Sequence, residues 1–68
     1  MKRKMLVIYD PTSHLVKRIV IPGPGEVIYQ SHHVRSGETS TMVPAIPASP
    51  LDRAAFVAAL APYGLIMP

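Results

Sequence analysis

The sequence contains no cysteine, only four acidic residues and no long apolar run. Lack of cysteine excludes a disulfide framework and any thiolate metal centre. The exclusion matters because the chain has just 68 residues, enough for one domain at most. A core in a chain below roughly 70–80 residues rarely yields more than ~3–5 kcal/mol of net stability. Small chains usually add disulfides, a metal or a partner, and here the composition leaves the partner open. The redox compartment stays unread, because zero cysteines suits any of them.

The four carboxylates, Asp10, Glu26, Glu38 and Asp52, all fall in expected turns or at a helix start, where each has a structural use. The longest apolar stretches, Met5–Tyr9 and Ala54–Ala61, fall far short of the ~20 residues that a membrane helix needs. "MKRKMLVIYD" imitates a signal peptide. Its apolar stretch is too short for the roughly 7–15 residues of a secretory core, and no small-residue cleavage site follows. The expected location is therefore the cytoplasm or a particle assembled there, such as a virion. No internal repeat is visible.

What is present is a chain with 49% hydrophobic residues and a net charge of +3, a balance that does not suit a disordered tail. Eight prolines are about twice the usual ~5%. Pro22 and Pro24, then Pro44, Pro47 and Pro50, mark segments that cannot be interior strand or mid-helix, since proline lacks an amide donor.

The expected fold is small α+β. Residues 1–43 form a sheet of two β-hairpins, 44–49 a Pro-rich connector, and 50–68 a short apolar helix with its tail, all in one domain. MLVIY (5–9) and LVKRIVI (15–21) read as β-branched strands. In the second, Leu15, Lys17, Ile19 and Ile21 alternate with Val16, Arg18 and Val20, and both faces are mostly apolar. Asp10 suits an Asx turn between them, Pro11 presets φ, and His14 takes the left-handed position that closes such a loop. PGPGE (22–26) is a connector and not a phosphate loop, because no helix follows it. Residues 27–34 form a third strand, RSGE (35–38) a turn, and TSTMV (39–43) a fourth, giving a meander. VPAIPASP (43–50) runs as an extended arm.

For the helix, Ser49 is the expected N-cap, Pro50 sits at N1 and Asp52 at N3, and Pro62 is the stop. Beyond Arg53 the segment to Ala61 has no polar residue, so both of its sides are expected to be covered. Ala58→Asp is then expected to disrupt folding or assembly by burying an unpaired charge.

No catalytic residue, metal ligand or cofactor is indicated. His32 and His33 on a strand would point to opposite faces. Ser31, Ser36 and Ser40 lack a strand–turn–helix elbow, and triads are built by geometry and not by adjacency. Two functional classes remain. The first is a non-enzymatic structural or assembly protein that docks on identical or different chains of a large complex through Leu51, Phe56, Val57, Leu60, Tyr63, Leu65 and Ile66. Small accessory proteins of bacteriophage capsids and tails show this economy. The second is a small nucleic-acid-binding module that contacts phosphates through Lys2, Arg3, Lys4, Lys17, Arg18 and Arg35. If Lys4 and Lys17 are neighbours across the hairpin, a basic patch of that kind exists.

Overall fold

The computed structural model describes residues 4–68. Strand β1 (Met5–Tyr9) lies between β2 (Val16–Val20) and β3 (Thr39–Val43), both antiparallel to it, in the order β2-β1-β3. One helix, α1 (Arg53–Leu60), follows, and single 3-10 turns occupy Gln30–His32 and Ala61–Tyr63.

The central place goes to the most apolar five residues of the first half. Met5, Leu6, Val7 and Ile8 are all completely buried. Four consecutive strand residues can be buried only if both faces of the sheet are covered. Met5 and Val7 face a core with Val16, Val43, Phe56, Leu60 and Leu65. Leu6 and Ile8 point the other way. Their register partners are Val20 and Met42, and Arg18 and Ser40, and directly opposed residues share a face. From that second face Arg18 reaches Glu38 and the His33 carbonyl, so the long connection between β2 and β3 passes across it.

The β1–β2 turn follows its sequence. The Asp10 carboxylate accepts from the amides of Thr12 (2.8 Å) and Ser13 (2.9 Å). His14 has φ +62°, the left-handed closing position expected of it. The strict alternation expected along β2 does not hold. A bulge between the partners of Ile8 and Tyr9 leaves Lys17 unpaired, so Val16 and Ile19 lie toward the same core. An extra residue in one strand produces this shift.

The meander of four strands is replaced by three strands. Residues 27–34 are not a strand. Their backbone closes on itself, with the amides of His32, His33 and Val34 donating to Tyr29, Gln30 and Gln30 respectively at 2.9–3.0 Å. The place that a third consecutive strand would take, the outer edge of β2, is in part taken by the tail at Ile66. The bare face of β1 needs a cover, and a segment tethered by Arg18 supplies it. The turn at 35–38 forms as expected, closed by Glu38 N–H to the Arg35 carbonyl (3.1 Å) with Gly37 at φ +81°. Of the two courses open to the Pro-rich segment, free in solvent or laid along a surface, it takes the second, with Ile46 half-buried against the core.

The helix starts later than its sequence suggests. Ser49 and Pro50 belong to a preceding turn, with Asp52 N–H donating to the Ser49 carbonyl at 3.2 Å. Asp52 is the cap and accepts from Ala55 N–H at 3.0 Å. An aspartate is as good a cap as a serine, and capping here lets the chain turn before the helix begins. Pro62 does not end the helical winding. It sits in the closing 3-10 turn, and Gly64 at φ +69° makes the stop, as left-handed glycine commonly does. One side of α1 is buried, through Phe56 and Leu60. The other side, with Ala54, Val57 and Ala58, is exposed. Within the single chain an aspartate at Ala58 stays exposed, so burial there would need a second chain.

Leu60 is 0% exposed and Val57 45% exposed, three residues apart on one helix. Leu60→Ala should cost about 2–5 kcal/mol and leave the chain largely unfolded, whereas Val57→Ala and Ala58→Asp should keep the fold. Urea unfolding followed by circular dichroism reads all three.

Candidate functional site

A cleft of about 430 Å³ lies between β2, the approach to α1 and the C-terminal tail. Val16 to Ile19 and Ile21 form one wall. Pro50, Leu51, Arg53 and Phe56 form the second, and Met67 with Pro68 closes the end. The tail is held there by backbone pairing. Val16 N–H donates to the Ile66 carbonyl (2.8 Å), and Ile66 N–H donates to the His14 carbonyl (2.9 Å), which sets Leu15 beside Ile66 in a parallel bridge. Arg53 also reaches the Met67 carbonyl at 3.4 Å.

Leu51 stands at this cleft with 92% of its surface exposed. It lies in the turn that precedes the Asp52 cap, so it is carried outside the helix and away from the core. Val57, Tyr63 and Ile66 are also exposed, as are Leu15 and Ile21. By contrast Phe56, Leu60 and Leu65 are buried in the chain's own core. The seven apolar residues singled out in the sequence thus divide into four that face outward and three that hold the fold. Met67, part of the apolar tail, belongs to the cleft, and so does Ile21. Sequence reasoning missed Ile21 as a cleft residue, because only the tertiary approach of tail to strand marks it.

The ionisable residues at the cleft are Lys17, Arg18 and Arg53, and no Asp, Glu, His, Ser, Thr or Tyr lines it. The histidines lie elsewhere. His32 packs on Tyr29 with ring centroids 5.3 Å apart, and His14 meets Tyr9 edge-on at 6.0 Å. Since residues 30–32 are a 3-10 turn, the opposite-face reasoning for His32 and His33 does not apply. Among the described residues no three His, Asp or Glu side chains are grouped as metal ligands would be. Also among them, no helix is long and apolar enough to cross a membrane.

Among the described residues, the expected pairing of Lys4 with Lys17 across the hairpin does not occur. Lys2 and Arg3 lie outside the described residues. Leu6 pairs with Val20, while Lys17 falls between the partners of Ile8 and Tyr9. Lys4 and Lys17 are thus at opposite ends of β1, four to five residues and about 13–16 Å apart along the strand. Arg18 is committed to an internal fork: Nη1 and Nη2 donate to the Glu38 carboxylate at 3.0 and 2.6 Å, and Nη2 donates to the His33 carbonyl at 2.8 Å. Arg35 donates its backbone amide to the same carboxylate at 3.0 Å.

Comparison with protein families, with curated proteins and with solved structures finds no match to this chain. Function has to be read from the geometry alone.

The Arg18 fork lowers the Glu38 pKa from 4.5 to about 2, with further help from the Arg35 amide and the positive charges of Arg18 and Lys17. A carboxylate depressed in the folded state stabilises the fold above its unfolded pKa, and that contribution is lost as pH falls toward the folded value. Stability should therefore drop between about pH 4.5 and pH 2. Glu38→Gln should lower stability at pH 7 and flatten this acid limb, with the turn at Asp10 accounting for part of what remains. Thermal melts from pH 7 to pH 2 measure both effects.

Proposed function

We propose that this chain is a non-enzymatic docking protein that attaches to other protein chains in a larger assembly. The observation that carries the proposal is the apolar cleft beside β2, with Leu51 standing 92% exposed at its lip. Single exposed apolar residues are ordinary. A leucine held clear of the core by a turn, next to a cleft floored by Val16, Ile19 and Phe56, is instead an anchor beside its own socket. Apolar anchors of this kind carry most of the energy in protein interfaces. Beside its three cations the cleft is lined by no carboxylate, imidazole or hydroxyl side chain, which favours binding over catalysis. A capsid or tail accessory role in a virus particle is one setting that suits so small a docking unit.

Nucleic-acid binding is the weaker reading. Phosphate recognition needs several cations presented together, and here Arg18 is satisfied internally while Lys4 and Lys17 stand apart.

Crosslinking at Leu51 tests the proposal. A photoactivatable leucine analogue at position 51, in cells that make the chain, should yield one discrete protein adduct, and Ile21→Lys should abolish it. Adducts with nucleic acid, or none, would overturn the proposal.

A further inference from the structure

The cleft beside β2 carries positive charge on both walls and no counter-charge of its own. Lys17 belongs to the β2 wall and Arg53 to the helix wall, and both are exposed. Arg18, also at the cleft, is held by Glu38. Among the described residues that is the only ion pair, so Lys17 and Arg53 form none. The remaining carboxylates are engaged elsewhere. Asp10 accepts the Thr12 and Ser13 amides, Glu26 the Gly23 amide and Asp52 the Ala55 amide. Apart from its three cationic residues, the lining of the cleft is wholly apolar.

We infer that the cleft binds an acidic, apolar peptide segment of a different protein. An apolar side chain seats against Ile19 and Phe56, and carboxylates to either side of it face Lys17 and Arg53. This rests on the docking reading and adds to it the chemistry of the partner.

Charge complementarity selects the occupant. A second copy of the chain carries a net charge of +3, and its acids, Asp10, Glu26, Glu38 and Asp52, are spread singly along the sequence. No segment of a copy therefore brings two carboxylates together. A fatty acid has one carboxylate at one end, which leaves the cation of one wall unmatched. A peptide is also what the neighbouring stretch of the β2 wall already holds. The tail lies there as an extended segment, joined by the Val16 amide to the Ile66 carbonyl, and strand edges commonly take peptides in this form. Opposite charges across an interface choose the partner and speed its arrival more than they add affinity. The apolar side chain thus supplies the hold, and Lys17 and Arg53 supply the choice.

The test selects a phage library of random peptides on the immobilised full-length chain. Enriched sequences should combine apolar residues with at least two Asp or Glu. For a synthetic peptide of the leading sequence, followed by fluorescence anisotropy, Lys17→Ser and Arg53→Ser should each weaken binding by up to about fivefold, the range of an exposed ion pair. Lys17→Glu combined with Arg53→Glu should turn the selection toward peptides bearing Lys or Arg, with an unchanged circular dichroism spectrum. Lys4→Glu, at the other end of β1, should change neither result. Enriched peptides without acidic residues, or a selection indifferent to the charge reversal, overturn the inference and leave the cleft a docking site of other specificity. No enrichment at all also overturns it, and crosslinking at Leu51 then decides whether docking itself stands. Tighter binding of dodecanoate or of a labelled oligonucleotide, measured alongside, overturns both.

Discussion

The strand that cannot be left half-covered determines this fold. Met5 to Ile8 alternate in direction, and all four are apolar and fully buried. One layer over the sheet would leave Leu6 and Ile8 in water. The chain solves this with two unlike covers: a helix and tail on one face, and an irregular segment tethered by Arg18 on the other. The first cover is hydrophobic packing. The second is a charge-assisted fork whose carboxylate is also held by the Arg35 amide. Such bidentate arginine–carboxylate pairs add geometric definition as well as energy, which is what a segment without regular secondary structure needs.

Local features were legible in the sequence wherever one residue's chemistry decides the backbone. The Asx turn at Asp10, the left-handed His14, the turn at Gly37 and the strand Met5–Tyr9 all belong to that kind. The errors come from tertiary competition. Residues 27–34 have strand-like composition around Val27, Ile28 and Tyr29, but nothing in composition says that the tail pairs along the outer edge of β2. The Ser49–Pro50 pair is a sound helix start by local rules. Asp52 is another, and the turn that carries Leu51 outward settles between them. Ile46 converts a proline-rich stretch from an arm into a packed connector by a single apolar contact surface.

The candidate site was less legible than the fold, for the same reason. Apolar residues of the last third all look alike in sequence. Only the fold separates Phe56, Leu60 and Leu65, which complete the core, from Leu51, Val57, Tyr63 and Ile66, which do not. The basic residues divide similarly: Arg18 is an internal tether, and Lys17 is the displaced residue of a bulge. Charge counted along a chain therefore overstates charge available at a surface.

The bridge between Leu15 and Ile66 joins the first hairpin to the far end of the described chain. Residues separated by most of the molecule's length must meet before that hairpin has its outer hydrogen bonds. Contacts of this span slow folding relative to local ones. During synthesis the hairpin residues are made well before the strap that completes them. The early segment, with its run of bare apolar residues, would wait unfinished until residue 66 arrives.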